Sequence, residues 1–190
     1  AGELYRSKRA GIPPSQMVFA GVGKTEKEIE YALREEILSF TVESEPELER
    51  INDCAGRLGR TGRIDIRVNP DVDPKTHKYT STGKRENKFG IDLERAALAY
   101  QQAASLPHLE VAGLHMHIGS PVMSVQPYRE ALEKVVPFCR ELKKNYPTFR
   151  HLDIGGGVGI PYSPEQKPFA MEEYAKTVIE AVDGLGLKIL

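Results

Sequence analysis

Six short apolar segments alternate along the chain with amphipathic segments of helical period. Apolar residues recur at three- and four-residue spacings between them, which is typical of helices that pack on a core through one face. Strands joined by crossovers of about a dozen residues or more predict a parallel sheet covered by helices. The six predicted strands are MVFAG (17–21), SFTVE (39–43), IDIRVN (64–69), LEVAGLHMHIG (109–119), HLDIG (151–155) and LKIL (187–190).

Helix boundaries can be read from capping patterns. Thr25 with Glu28, and Ser44 with Glu47, each form the S/T-x-x-E pattern of a capping box just before an amphipathic segment. Gly59 follows the last apolar position of the second of these segments and predicts its end.

Both a doubly wound sheet and a (β/α)₈ TIM barrel satisfy this alternation. A barrel needs about 250 residues for eight units, so six strands in 190 residues predict a partial barrel with about six of the eight units. The chain has no initiator Met, begins just ahead of a predicted helix and ends in a strand that has barely begun. We therefore expect it to be part of a longer polypeptide.

The composition of the chain excludes several classes of function. The chain is 40% hydrophobic and carries 26 Lys and Arg against 27 Asp and Glu, with no basic run interleaved with aromatics, so nucleic acid is not expected as a partner. No apolar run approaches the roughly 18 residues of a membrane span. Cys54 and Cys139 lie in predicted helices, far apart in sequence, which fits buried, inert thiols in a reducing cytoplasm.

LDIGGGVGIPY places three glycines directly after a predicted strand, at the end where parallel α/β folds bind ligands. Glycines can turn several backbone N–H groups toward an anion, and phosphate is the usual guest. A tight strand-to-helix turn explains the run equally well. Two nucleotide motifs fail: Ile160 stands where the dinucleotide fingerprint needs its last glycine, and Val18 where a Walker A loop ending in Gly23-Lys24-Thr25 needs its first.

HMHIGS is the second candidate, because His115 and His117 share one side of a strand and Ser120 follows at its end. A zinc pair lacks a third ligand of suitable spacing, so no metal is predicted. Two interpretations of these histidines remain: hydrogen-bonded core residues, or part of a site for a phosphate ligand. Because the histidines lie at a strand end, we favour the ligand site. Asp65 and Arg67 share one face of a predicted strand. The simpler interpretation is that they form an internal ion pair or a layer of the barrel interior. The alternative is that they lie near an anionic ligand.

The segments RVNPDVDPKTHKYTSTGKRENKFGI, GLHMHIGS and LDIGGGVGIPY, with VFAGVGKT and VESEPEL, carry a resemblance over essentially the whole chain. In this order they closely resemble the diaminopimelate decarboxylases, a family of the alanine-racemase-like (fold type III) pyridoxal-phosphate-dependent decarboxylases. K-F-G, H-I-G-S and G-G-G are widespread in that superfamily, whereas the long first segment points to diaminopimelate.

The resemblance implies that residues 1–190 are the pyridoxal-phosphate-binding barrel, incomplete at both ends, with strands three to eight present and a C-terminal β domain absent. It implies that His117 is catalytic and stacks on the cofactor ring. Ser120 and the glycines at Gly155, Gly156 and Gly157 would cradle the cofactor phosphate, and the loop from Asn69 to Gly90 would border the site.

The implied activity is that of a carboxy-lyase, which converts meso-2,6-diaminopimelate to L-lysine and CO₂ in lysine biosynthesis. The implied full-length enzyme is a cytoplasmic homodimer with a small amino-acid substrate and no membrane partner. We expect this fragment alone to be inactive, because the family's Schiff-base lysine lies upstream and its E-P-G-R segment would follow Leu190. Pro121 stands where the family pattern leads us to expect Gln.

Three alternatives stay open. The first is another decarboxylase of the family, acting on ornithine, arginine or carboxynorspermidine. The second is a non-catalytic homologue that binds pyridoxal phosphate. The third is a barrel that binds a different phosphorylated metabolite.

Overall fold

Each predicted strand is present in a computed structural model, which describes residues 1–73 and 89–190. Most of the loop predicted to border the site, from Asn69 to Gly90, therefore lies outside the described residues. A short strand beside the third predicted strand was not expected from the sequence. The strands are β1 (Val18–Phe19), β2 (Ser39–Val42), β3 (Gly62–Asn69), β4 (Ile91–Asp92), β5 (Leu109–Met116), β6 (His151–Asp153) and β7 (Lys188–Ile189).

Helices fill the intervals between strands, as the amphipathic segments predict. They are α1 (Gly2–Arg9), α2 (Glu26–Glu35), α3 (Glu45–Leu58), α4 (Leu93–Ser105), α5 (Gln126–Asn145) and α6 (Met171–Val182), with a 3₁₀ turn at Pro14–Gln16. None of the described helices combines the length and the apolarity that crossing a bilayer requires.

The strands are hydrogen-bonded in the order β1-β2-β3-β5-β6-β7, and β4 pairs with β3 away from this path. Pairing is parallel between β1 and β2, between β2 and β3, and between β6 and β7. A doubly wound sheet reverses its strand order at a switch point, whereas a barrel adds each new strand beside the previous one. The observed order is that of a barrel, so the prediction of a partial (β/α)₈ barrel is confirmed.

The helix ends show two successes and one failure of the capping rules. Thr25 and Glu28 form the predicted capping box at the start of α2, and Gly59 ends α3 in the left-handed conformation at φ 60°. Ser44 is the N-cap of α3, but it makes no capping hydrogen bond, so the second box was wrong. The Glu47 carboxylate instead accepts the N–H of Glu43 at 2.7 Å and a hydrogen bond from Lys24.

The contacts divide the chain into two compact units. The first comprises residues 1–67 and 89–113, and the second comprises residues 68–73 and 114–190 of the described part. Most apolar positions of the helices are buried, but Met171 at the start of α6 is 52% exposed. Fully buried side chains of the first unit include Ile29, Phe40, Leu48, Ile51, Ile64, Ile66 and Tyr100, and those of the second include Leu114, Met116, Tyr128, Leu132 and Leu152.

Both cysteines are core residues, as expected. Cys54 and Cys139 are 0% exposed. Burial raises the pKa of both thiols, that of Cys139 to about 12, so neither side chain is present as the reactive thiolate near neutral pH.

Candidate functional site

The glycine segment, defined here as Gly155, Gly156 and Gly157, follows β6 and packs against the chain leaving β5. Gly155 and Gly157 have φ of 70° and 89°, which side-chain-bearing residues rarely adopt. A Cβ atom at Gly155 would collide with the carbonyl oxygen of Met116, and one at Gly157 with that of Gly119. At these two positions the group that excludes a side chain is therefore the protein's own backbone.

Gly156 differs from its two neighbours. Its φ is not positive, and a Cβ atom built there would meet nothing within 4 Å. The residue is exposed, so its side faces open space. The fold does not require glycine at this position, which leaves room for a ligand as the reason for its small size.

His117 lies beside this open face. Its Nδ1 atom accepts the N–H of Gly156 at 3.3 Å, a long hydrogen bond. Because an amide N–H only donates, Nδ1 carries the lone pair and the proton of the neutral ring is on Nε2. The prediction that the imidazole and the glycines share one site thus agrees with the geometry.

His115 and His117 have different partners. The Nδ1 atom of His115 lies 2.9 Å from Oδ2 of Asp153, and Asp153 Oδ1 accepts the N–H of Gly155 at 2.8 Å. Burial raises the pKa of Asp153, but the adjacent His115 imidazole together with the Gly155 N–H outweighs it, so the pKa lies below its ordinary value. The carboxylate is therefore ionised and holds one end of the glycine segment.

The carbonyl groups of the segment are also held. Tyr128, on α5, donates its hydroxyl to the Gly156 carbonyl at 2.9 Å. The N–H of Val122 donates to the Gly157 carbonyl at 2.7 Å, and Val122 in turn accepts the N–H of Gly159. Sequence reasoning missed Tyr128, because an apolar helix position predicts burial and carries no sign of where a hydroxyl will reach.

Several groups remain to receive an anion. Within the described residues no acceptor takes the Gly157 N–H, and the Ser120 hydroxyl is on an exposed residue. The Gly156 N–H is engaged only in its long bond to His117, whereas the Gly155 N–H is occupied by Asp153. An amide, a hydroxyl and open space at Gly156 fit a phosphate group. Of the several N–H groups that the glycine run could turn toward an anion, that of Gly155 is already bound by Asp153.

Asp65 and Arg67 do not pair with each other. Asp65 is 0% exposed and accepts the Ser39 hydroxyl at 2.5 Å. Arg67 binds both oxygens of Glu43, at 2.9 and 3.1 Å, and its guanidinium lies 5.5 Å from the Phe89 ring centroid. The structure therefore supports internal partners for both charged groups rather than an anionic ligand. These partners lie on other elements of the fold.

Lys24 is a further buried charge that the sequence did not reveal. It is 3% exposed, and its Nζ donates to the carbonyls of Gly21 and Thr41 at 2.7 and 2.6 Å and to Glu47 at 2.8 Å. The lysine thus ties the ends of β1 and β2 to α3. Its role is structural, which agrees with the rejection of a nucleotide loop at this segment.

A pocket of about 300 Å³ in the first unit lies elsewhere. It is lined by residues at the amino ends of β2, β3 and β5, including Ile37, Arg63 and Glu110. Parallel α/β folds bind ligands at the carboxyl ends of their strands. We therefore assign the candidate site to the glycine segment.

The sequence matches a family model described as the pyridoxal-binding domain of pyridoxal-dependent decarboxylases, over residues 1–187. The chain belongs to this decarboxylase family. Membership implies pyridoxal phosphate as the cofactor, which agrees with the fit of the glycine segment to a phosphate.

Similar curated proteins of the pyridoxal-dependent decarboxylase family are named diaminopimelate decarboxylase. The protein of Aquifex aeolicus is 50% identical over 100% of this chain, and that of Vibrio cholerae is 48% identical over 96%. The chain covers 45% and 43% of those proteins, which is less than half of their length.

Solved structures of the decarboxylase family share the fold. Diaminopimelate decarboxylase from Helicobacter pylori, complexed with L-lysine, superimposes with a TM-score of 0.92 at 41% identity, covering 99% of this chain and 48% of the other. Lysine decarboxylase from Selenomonas ruminantium has a TM-score of 0.80 at 21% identity, covering 99% and 47%, which shows the fold alone.

Proposed function

We propose that the whole protein is a diaminopimelate decarboxylase, which releases CO₂ from meso-2,6-diaminopimelate and forms L-lysine. One structural observation carries the proposal: His117 Nδ1 lies 3.3 Å from the amide nitrogen of Gly156, so an aromatic ring lies beside the open space at that glycine. The names of the similar proteins support this substrate, as does the L-lysine in the Helicobacter pylori structure, since L-lysine is the product of the proposed reaction.

The cofactor, when bound, supplies an electron sink for the electrons left after loss of CO₂. Residues of this chain bind and orient it. The Gly157 and Gly156 amides and the Ser120 hydroxyl would donate to the phosphate, each charge-assisted bond contributing about 1.5 to 3 kcal/mol. His117 would lie against the pyridine ring and restrict its plane, with its proton held on Nε2.

The same proposal covers the parts of the whole protein beyond this chain. The relatives are more than twice as long, which supports further barrel strands, the lysine that holds the cofactor and a C-terminal β domain. We propose a cytoplasmic homodimer, in keeping with the family resemblance. Its substrate is a small amino acid.

The assignment is tested by measuring CO₂ release from meso-diaminopimelate, L-ornithine, L-arginine and carboxynorspermidine with the whole protein. We expect kcat/KM for diaminopimelate to exceed the others by about 100-fold or more, because a site built to bind its second carboxylate rejects substrates that lack that group. A preference for one of the other three would overturn the substrate. Retention of the cofactor without CO₂ release from any of them would indicate the non-catalytic alternative.

A further inference from the structure

The peptide groups of the glycine segment are each held by one hydrogen bond from outside the segment. Asp153 accepts the Gly155 N–H, His117 accepts the Gly156 N–H, and Val122 donates to the Gly157 carbonyl. The peptide between Gly156 and Gly157 is held through its carbonyl by the Tyr128 hydroxyl, a side-chain group, while its N–H has no acceptor among the described residues.

We propose that Tyr128 is a positioning residue for the cofactor phosphate, and that its hydroxyl aims the Gly157 N–H at the anion by fixing the Gly156 carbonyl. The proposal rests on the proposed function, because it takes the glycine segment as the phosphate site. Tyr128 itself does not touch the phosphate.

Peptide geometry provides the link. A trans peptide is planar, and its C=O and N–H point in opposite directions. The hydroxyl that draws the Gly156 carbonyl toward α5 therefore turns the Gly157 N–H away from α5. Because both flanking residues are glycines, no Cβ atom hinders rotation of this peptide, and a rotated peptide would present its carbonyl oxygen to the anion.

Tyr128 is itself firmly placed. It is 1% exposed, and its ring packs edge-on against Tyr174 at 4.9 Å and Phe169 at 6.1 Å between centroids. Burial, with a contribution from Tyr174, raises its pKa to about 12, so the hydroxyl remains a donor throughout the range in which the protein is folded and assayed. A rigid ring with a protonated hydroxyl suits the role.

The test compares Tyr128→Phe with Tyr174→Phe in the whole apo-protein. Both variants remove one hydroxyl from the same aromatic cluster, but the Tyr174 hydroxyl makes no hydrogen bond to the glycine segment. Each protein is titrated with pyridoxal phosphate and with pyridoxal, which lacks the phosphate. We expect Tyr128→Phe to weaken pyridoxal phosphate binding about five- to tenfold, as for loss of one hydrogen bond, and to leave pyridoxal binding within about twofold. Tyr174→Phe should leave both unchanged.

Equal weakening of both ligands by Tyr128→Phe would overturn the proposal, because it would indicate general damage to the site. Unchanged binding of pyridoxal phosphate would overturn it as well. A different result identifies failure of the proposed function: the unsubstituted protein would then bind pyridoxal as tightly as pyridoxal phosphate, and the phosphate site and the role of Tyr128 would both be rejected.

Discussion

Nδ1 of His117 accepts the N–H of Gly156, so a side chain that leaves β5 and a backbone that leaves β6 meet at one point. The bond is long at 3.3 Å and holds the ring in one tautomer. This contact places the ring beside Gly156, the position at which we propose that the cofactor phosphate binds.

His117→Ala should lower activity far more than stability. We expect kcat/KM for diaminopimelate to fall about 100-fold, because the ring that we propose orients the cofactor is lost. The free energy of unfolding should change by only about 1 kcal/mol, as for one long, half-exposed hydrogen bond. Steady-state kinetics and urea unfolding of the apo-protein measure the two effects.

His117→Asn is the matched control, because its amide oxygen can still accept the Gly156 N–H while the ring is absent. Activity should stay low in this variant and stability should recover. Recovery of activity with Asn would show that the hydrogen bond, and not the ring, is what catalysis requires.

Gly157→Ala should destabilise the fold, whereas Gly156→Ala should not. A Cβ atom at Gly157 meets the Gly119 carbonyl at φ 89°, so we expect a loss of about 2 kcal/mol or more in the free energy of unfolding. A Cβ atom at Gly156 meets no atom of the chain within 4 Å, so stability should hold. The added methyl group should instead weaken cofactor binding, since it occupies the space assigned to the phosphate.

Urea unfolding of the apo-proteins and cofactor titration separate the two effects. If Gly156→Ala binds pyridoxal phosphate as tightly as the unsubstituted protein, the open face at Gly156 does not receive the phosphate. A larger Gly156→Val substitution should strengthen the effect on binding, through its volume and not through a positive φ.

Lys24→Met should destabilise the protein by about 3 to 5 kcal/mol, because Glu47 is left charged and buried without its partner. The two side chains are only 1% and 6% exposed. Urea unfolding provides the measurement. Lys8→Met is the matched control, since the Lys8–Glu35 pair is at the surface, and it should change the unfolding midpoint little.

A second variant separates loss of the pair from loss of the lysine. Adding Glu47→Gln to Lys24→Met removes the unpaired charge, so the double variant should be more stable than Lys24→Met alone. An equally unstable double variant would show that the bonds from Lys24 to the carbonyls of Gly21 and Thr41 matter more than the ion pair.

Asp153 should contribute to the acid sensitivity of the fold. Its pKa is lower in the folded protein than the ordinary 3.8, so the folded state binds the proton less tightly than the unfolded state. The resulting stability is present above pH 3.8 and is lost as the pH falls through the folded pKa. Asp153→Asn should flatten the stability curve in this acid range, as measured by urea unfolding between pH 7 and about pH 3.

Glu165→Gln is a useful comparison, because the pKa of Glu165 is also lowered but by a hydrogen bond from Ser163 on an exposed loop. Glu165→Gln should change the stability of the protein in the acid range less than Asp153→Asn does. An unaltered curve for Asp153→Asn would mean that the contact with His115 and the Gly155 N–H does not favour the ionised carboxylate.

The strands and most helix ends could be predicted because they depend on local pattern. Alternating apolar runs gave the six main strands, and Thr25 with Glu28 gave a correct cap, since both partners lie within four residues. Ser44 is the N-cap of α3, but the predicted capping box was wrong because Glu47 binds Lys24, which is 23 residues distant in sequence. A capping rule that considers only four consecutive residues cannot detect a competing partner so far away in sequence.

The candidate site shows the same division. The positions of His117 and the glycine segment at adjacent strand ends followed from the strand order. The reason for glycine at positions 155 and 157 did not, because it depends on carbonyl oxygens of Met116 and Gly119 that only the folded chain brings near. Tyr128 was hidden for the same reason, as its partner is 28 residues away.

The buried Lys24 also affects when contacts can form during synthesis of the chain. Its partners at Thr41 and Glu47 lie 17 and 23 residues further along the chain. Such short loops close quickly, and domains begin to fold while the ribosome is still at work. Lys24 can therefore make its contacts with Thr41 and Glu47 before residues 155–157 have left the ribosomal exit tunnel.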